Sequence, residues 1–235
     1  MMKAGIIAAG LGERFRRAGI STPKPLIEVG GKTLLQRAIE SAVSAGAGEI
    51  ALIVNAEYGE VERYVRERDW PAPIRLIVRT TPSSMESFFA LAPLLDESAF
   101  LLLTVDAVAP PRMLGDLAAA GAAAGPAGTL AVTRFVDDEK PLRAEIDSER
   151  RITALGDRAA ASAWITSGVY FFFPVVYSLV AEARERKLGA LRQFLGLLLE
   201  KGQRLYGFPV AKSIDVDRPE DVAVAERFLK DHGSA

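Results

Sequence analysis

Gly10 and Gly12 follow the apolar run Ile6-Ile7-Ala8-Ala9, and Arg14 stands two residues beyond the second glycine. Lys24 comes ten residues later, between Pro23 and Pro25. Glycines carry no Cβ, so backbone N–H groups in such a turn can approach an anion closely. Two fixed cations beside the turn suit a triphosphate. Much further along, Asp106 ends the apolar run Leu101–Val105. A carboxylate at the C-terminal end of a buried strand stands where ligands of open α/β sheets collect. It reads either as a metal ligand or as a cap for the helix opening near Pro110.

Composition narrows the chemistry. The chain has 235 residues, 49% of them hydrophobic, and a formal net charge of −1, enough apolar material for a substantial core. A charge balance this even argues against wrapping nucleic acid or docking on anionic lipid. There are no cysteines, and the one histidine is His232 near the end. Disulfides, thiolate sites and histidine general-base chemistry are thereby set aside, so any metal must be held by oxygen, which points to Mg2+ or a similar hard cation. Neither an 18-residue apolar segment nor a signal-peptide pattern is found, and the expectation is a cytoplasmic protein without a membrane partner.

The elements that must position these residues alternate between strand and helix, which predicts an α/β fold with a largely parallel sheet. Strands are expected at Lys3–Ala8, Ile50–Val54, Ile74–Val78 and Ala99–Val105, the last being the most apolar and central. Helices are expected at Thr33–Ala45, Tyr58–Arg68, Ser84–Leu95 and Arg112–Ala124. The pattern then shortens: Thr129–Phe135, Ala144–Asp147 and Arg151–Leu155 read together as an antiparallel insertion. A buried strand at Ala163–Phe173 precedes helices at Val175–Arg186 and Leu191–Glu200. Strands near Arg204–Pro209 and Ser213–Val216 and a closing helix at Pro219–Lys230 complete the chain. The prolines beside Lys24 are expected to keep it extended.

Two phosphate motifs fail on inspection. A dinucleotide fingerprint would need glycine at position 15, which is Phe15, and the following residues read as loop. A P-loop ending in Gly31-Lys32-Thr33 would need glycine where Leu26 stands. Lys32 is then a solvated turn residue and Thr33 a helix start. The run Asp137-Asp138-Glu139 reads as a solvated acidic turn, and Trp70, Trp164 and Phe171-Phe172-Phe173 as core.

In order along the chain, AAGLGERF (Ala8–Phe15), STPKPLIEVGGKTLL (Ser21–Leu35), LLLTVDAV (Leu101–Val108), ITSGVYFF (Ile165–Phe172) and IDVDRPEDVAVAERFL (Ile214–Leu229) resemble the nucleotidyltransferases that activate sugar phosphates. The resemblance implies a three-layer α/β/α sandwich with a mostly parallel, Rossmann-like central sheet and a small antiparallel insertion, a GT-A-like fold. It also implies one domain over residues 1–235, with a nucleotide-binding half in 1–128 and an acceptor-binding half and closing helix in 129–235. No left-handed β-helix domain is expected beyond it.

Residue by residue, the resemblance places Ala8, Ala9, Gly10 and Gly12 around the triphosphate and Thr81, Ser83 and Ser84 near the nucleoside. Thr81, Ser83 and Ser84 read equally well as a cap for the helix that follows. Arg14 would bind the β- and γ-phosphates, and Lys24 the α-phosphate and the attacking phosphate. Asp106 and Asp215 would hold Mg2+, with Asp217 as the competitor of Asp215. Arg143, Glu145, Thr166, Ser167 and Gly168 would face the acceptor.

Two departures stand out. Glu13 replaces the family's small or hydroxyl residue. Glu139-Lys140-Pro141, a motif of the sugar-specific members, precedes the Ala144–Leu155 strand pair, and Gly156-Asp157-Arg158 fills the expected place.

The implied partners are an NTP and a phosphorylated small molecule, with a homo-oligomer left open. The implied reaction is Mg-dependent nucleotidyl transfer to a sugar 1-phosphate. The alternatives are cytidylyl transfer to phosphocholine or inositol phosphate, and guanylyl transfer to molybdopterin. A nucleotide-sugar glycosyltransferase would show Asp-x-Asp where Asp106-Ala107 stands, and a non-catalytic nucleotide sensor would lose Lys24 or Asp106. The base remains open.

Overall fold

The computed structural model describes residues 1–110, 112–125, 127–135 and 141–232. Asp137, Asp138, Glu139 and Lys140, singled out above, lie outside the described residues.

β1 (Lys3–Ala8) runs into the glycine turn, and the short helix α1 (Glu13–Arg17) follows at once. The loop expected there is corrected, because Phe15 is buried and gives this turn and a half a hydrophobic anchor. β2 (Glu28–Val29) and β3 (Lys32–Thr33) form a hairpin, with Gly30 and Gly31 both at positive φ in the two-residue turn. The Thr33 side chain accepts from the Gln36 N–H and caps α2 (Leu34–Ser44). Lys32 lies half exposed and pairs with Glu40.

β4 (Glu49–Val54), α3 (Gly59–Arg66), β5 (Ile74–Val78), α4 (Ser84–Leu95) and β6 (Phe100–Thr104) follow in strict alternation. The short β7 (Ala107–Val108) leads to α5 (Met113–Ala124), then β8 (Gly128–Thr133), β9 (Ala144–Ile146), β10 (Ile152–Leu155) and β11 (Ile165–Phe172). The expected helix at Val175–Arg186 is instead a 3-10 segment, Pro174–Leu179, that runs on into α6 (Val180–Glu185). α7 (Leu191–Glu200), β12 (Leu205–Pro209), β13 (Ile214–Asp215) and α8 (Pro219–His232) complete the described chain.

Seven strands form one sheet in the order β12-β8-β11-β6-β1-β4-β5. β6 is the middle strand, as its unbroken apolar character predicts. All neighbouring pairs run parallel except those of β11, which is antiparallel to both β6 and β8. The expected three-stranded insertion is corrected: β8 belongs to the main sheet, and only β9 and β10 form the small antiparallel ribbon. β8 is buried at every position from Gly128 to Thr133, which marks an interior strand rather than a surface flap, and the expected run's last two residues, Arg134 and Phe135, are exposed.

Alternation along the strands divides the core in two. Ala4, Ile6, Leu101 and Leu103 face the layer made by α2, α3, α5 and α8. Ile7, Phe100 and Leu102 face the opposite layer, where α4, α6 and α7 pack with Phe88, Phe89, Phe172 and Phe194. The result is the three-layer α/β/α arrangement expected from the sequence.

Candidate active site

β1 and β6 lie side by side in parallel register, with Ile7 opposite Thr104. The Val105 N–H donates to the Ile7 carbonyl (3.1 Å) and carries the pairing one step further. The glycine turn after β1 and Asp106 after β6 therefore leave the sheet at the same edge. Gly12 sits at φ +60, and a Cβ there would lie 3.0 Å from the Lys24 Cβ, so glycine allows the lysine to pass directly beneath the turn.

Lys24 is not extended, contrary to expectation. It opens a 3-10 turn (Lys24–Leu26) in which the Leu26 N–H donates to the Pro23 carbonyl (2.8 Å) and the Ile27 N–H to the Lys24 carbonyl (3.1 Å). Pro25 occupies an early position whose N–H the turn does not need. The turn buries Lys24 to 9% exposure and brings its ammonium between two carboxylates. Lys24 Nζ donates to Asp106 Oδ2 (2.6 Å) and to Asp217 Oδ1 (2.5 Å), and Arg14 Nη1 donates to Asp217 Oδ2 (2.9 Å). Four side chains from three distant segments thus form a row of alternating charge: Arg14, Asp217, Lys24, Asp106.

The electrostatics follow from that row. Burial pulls the Lys24 ammonium down, but Asp106 and Asp217 outweigh it and hold its pKa above the ordinary lysine value. Burial likewise pushes the Asp106 carboxyl up, and Lys24 outweighs that and keeps it below the usual aspartate range. Nearby, burial pushes the Tyr170 phenol up to about 12; the Thr166 hydrogen bond opposes that shift, while the charges of Asp215 and Asp106 add to it.

Asp215 stands apart from the row. On β13 it pairs with Ala107 of β7, and the Val216 N–H donates to the Asp106 carbonyl (3.0 Å). A Cβ on Gly168 would lie 3.7 Å from Asp215 Oδ1 and 2.8 Å from Thr104 Oγ1, so Asp215 is next to the end of β6 as well.

A cleft of about 540 Å³ opens over the glycine turn. Ala8, Ala9, Gly10, Gly12, Arg14, Lys24, Thr81, Ser83, Ser84, Asp106 and Asp217 all line it. Every residue expected on the nucleotide side is thus in one place. Ser83 also caps α4, accepting from the Glu86 N–H (3.2 Å), and the N-terminus of that helix faces the cleft.

The acceptor-side residues are not in this lining. Arg143 Nη1 donates to the Ser162 carbonyl (2.5 Å), and Glu145 lies on the exposed side of β9. Ser167 is 2% exposed, with its hydroxyl donating to the Ala131 carbonyl (3.4 Å) inside the sheet. Its side chain is turned away from any acceptor. Gly168 has φ +71 at the irregular pairing between β11 and β8.

Sequence reasoning missed Asn55 and Tyr58. Asn55 Nδ2 donates to the Ala9 carbonyl (3.0 Å) while its Oδ1 accepts from the Glu57 N–H (2.9 Å) and the Thr80 hydroxyl (2.8 Å). The Tyr58 hydroxyl donates to the Leu11 carbonyl (2.7 Å). Both clamp the glycine turn from behind. A polar residue just past an apolar strand was the available signal for Asn55.

The donor set suits a hard cation. Asp106 and Asp217 already share one positive group, and every candidate ligand here is an oxygen. Among the described residues, no group of three or more His, Cys, Asp or Glu side chains gathers to hold a metal. Mg2+ commonly takes one or two carboxylates and completes its shell with phosphate and water. The residues present fit that pattern.

A mostly parallel sheet with a glycine turn, two buried or clefted cations and carboxylates at its C-terminal edge defines a phosphate-binding α/β protein of the nucleotide-handling class. Residues 4–195 match the MobA-like NTP transferase domain, and the chain belongs to that family.

Among curated relatives it is similar to the mannose-1-phosphate guanyltransferase of Neurospora crassa, 27% identical over 94% of this chain and 62% of that protein. The Schizosaccharomyces pombe protein of the same name is 32% identical over 59% of this chain and 39% of that protein. The chain thus spans less than two thirds of the length of the curated relatives it matches. Among solved structures, the inositol-1-phosphate CTP transferase from T. maritima superposes with a TM-score of 0.80 at 21% identity, covering 98% of this chain and 97% of that one. A putative glucose-1-phosphate thymidylyltransferase from Bacillus anthracis gives a TM-score of 0.85 at 16% identity, covering 98% and 96%. These two likenesses establish the fold.

Proposed function

We propose that the protein transfers a nucleoside monophosphate from an NTP to a sugar 1-phosphate, with release of pyrophosphate and formation of an NDP-sugar. The observation that carries this reading is the Lys24 ammonium shared by Asp106 and Asp217, with Arg14 alongside, in the same cleft as Gly10 and Gly12. The names of the curated relatives make GTP and mannose 1-phosphate the first pair to test. An NTP substrate argues for a cytoplasmic enzyme.

The reaction asks for charge neutralisation and alignment rather than proton abstraction. An acceptor phosphate, with a second pKa of about 6, is largely ionised at neutral pH and attacks the α-phosphorus directly. The Gly10 and Gly12 backbone would cradle the phosphates, and Arg14 would hold the β- and γ-phosphates that leave. Lys24 would bridge the α-phosphate and the attacking oxygen, offsetting charge where it builds up. Thr81, Ser83 and Ser84 would bound the nucleoside.

Asp106 would hold Mg2+ together with Asp215 or Asp217. When bound, the ion supplies charge neutralisation at the transferring phosphate. Arg143, Glu145, Thr166 and the Gly168 backbone would meet the acceptor. In this reading residues 1–128 form the nucleotide half and 129–235 the acceptor half of one domain.

The test is pyrophosphate release with GTP, UTP, CTP, dTTP and ATP, each against mannose 1-phosphate, glucose 1-phosphate, phosphocholine and inositol phosphate. Release with a sugar 1-phosphate is expected. Release only with phosphocholine or inositol phosphate would replace the acceptor class. No release from any pair, despite tight NTP·Mg2+ binding, would replace the enzyme with a nucleotide sensor.

A further inference from the structure

Asp217 divides its two oxygens between the two cations of the cleft: Oδ1 lies 2.5 Å from Lys24 Nζ and Oδ2 lies 2.9 Å from Arg14 Nη1. A phosphate oxygen asks the same of an ammonium or guanidinium, namely negative charge at hydrogen-bonding distance. Asp217 therefore sits where the phosphates of a triphosphate would sit. Lys24 plays the mirror role. Its ammonium bridges Asp106 and Asp217 and takes the position between carboxylates that a metal cation would take.

The backbone around Asp217 is fixed while its side chain has room to turn. The Asp217 and Arg218 N–H groups both donate to Asp221 Oδ2, at 2.9 and 2.7 Å, at the start of α8. The Asp217 side chain is 37% exposed, against 10% for Lys24. Of the row's members around Lys24, Asp217 is the one that can swing out with little loss of packing.

We propose, on the basis of the nucleotidyl-transfer reading above, that Asp217 is a positioning residue that holds Arg14 and Lys24 in place and gives them up to the triphosphate. The carboxylates that the two cations leave are then turned over to the metal. A triphosphate arriving alone must push Asp217 aside and face its unbalanced charge. A metal arriving alone would have to draw both carboxylate partners, Asp106 and Asp217, away from a buried ammonium. Arriving together, they exchange partners with the row: phosphates take the cations and carboxylates take the metal. Each ligand clears the other's seat, and the coupling is reciprocal.

The experiment measures binding, not turnover. Calorimetric titration with inorganic tripolyphosphate, which needs no choice of base, is run in EDTA and in excess Mg2+. The wild type is compared with Asp217→Asn and with Asp217→Glu, folding of each being checked by circular dichroism. In EDTA, Asp217→Asn is expected to bind tripolyphosphate more tightly than wild type, on the order of tenfold. Its ratio of affinities with and without Mg2+ is expected to shrink by at least that factor. Asp217→Glu is expected to return toward the wild-type ratio.

Comparison between variants cancels the pairing of Mg2+ with tripolyphosphate in solution. Unchanged EDTA affinity with weaker Mg2+-dependent binding would make Asp217 a plain metal ligand and overturn the proposal. Weaker binding in both arms would make it merely structural, with the same result. If Asp217→Asn fails to fold, Asp217→Ser is held to the same EDTA criterion. Wild-type protein that binds neither tripolyphosphate nor GTP would instead sink the nucleotidyl-transfer reading itself.

Discussion

The proposed nucleotide side and the proposed acceptor side of the sheet's C-terminal edge are built on different plans. On the nucleotide side, Arg14, Asp217, Lys24 and Asp106 come from three distant segments and spend their hydrogen bonds on one another. They stand over β1 and β6, strands with neighbours on both sides. On the acceptor side, Arg143 and Ser167 spend theirs on backbone carbonyls close to their own strands, and Glu145 sits on the two-stranded ribbon β9–β10. A central strand is held by two ladders, while a two-stranded ribbon has one and depends on packing for its position. The row proposed for the phosphates thus rests on doubly paired strands; of the residues proposed for the acceptor, Glu145 rests on the ribbon, while Ser167 lies on β11, which is paired on both sides.

The severest challenge to this contrast is Asp106→Asn. Turnover should drop by two to four orders of magnitude, the usual scale for losing preorganised charge at a phosphoryl transfer site. Circular dichroism should show the fold intact. Near-normal turnover would remove Asp106 from the site and the contrast with it.

Next comes Gly12→Ala. The left-handed backbone costs an alanine about 1–2 kcal/mol, and its Cβ would press on the Lys24 Cβ at 3.0 Å. NTP affinity should fall by roughly tenfold or more, one decade being about 1.4 kcal/mol, while acceptor KM stays put. An equal effect on both substrates would mean that the two sides are not separately built. A smaller change is expected from Arg143→Ala, with acceptor KM raised by no more than about tenfold and NTP affinity unchanged, as suits a partly exposed charge. Loss of NTP binding in that variant would tie the ribbon to the phosphate row.

The smallest effect concerns acid. The Asp106 pKa is lowered in the folded chain, so its contribution to stability is complete above the ordinary aspartate value and fades as pH falls through the lowered one. Lys24, with its pKa raised, contributes fully below the ordinary lysine value and loses that only as pH rises past the raised one. The pair is thus fully charged across neutral pH. Asp106→Asn should flatten the acid limb of a stability–pH curve, since the carboxylate whose pKa is lowered on folding is gone. Parallel acid limbs for the two proteins would show the pair contributes nothing there.

Legibility in the sequence followed the same divide. β6 announced its central place through five consecutive positions compatible with burial on both faces, and α4 began where Ser83 can cap it. The glycine turn and Lys24 were found from residue type alone. The shape of the Lys24 turn was not, because a proline neighbour biases one residue while the ion pairs that settle its direction come from Asp106 and Asp217, far away in sequence. β8 was misplaced for a related reason. Its partners are β11 and β12, and no local pattern says that two later strands will flank it. Asp217 was overshadowed by Asp215 two positions earlier, since only the turn into α8 decides which carboxylate reaches the cleft. Ser167 sits beside a glycine in a suggestive motif, yet strand alternation points it inward.

The bond from Arg14 to Asp217 spans 203 positions of the chain. On a ribosome, β1, β4 and β6 can pair long before residue 217 has been made, so the sheet and the glycine turn can form with their cations still uncompensated. Asp217 is also the last of the row's four residues to be synthesised. Closing so long a loop is slow relative to local pairing. On the proposed reading, the phosphate site therefore waits for the segment that carries Asp217.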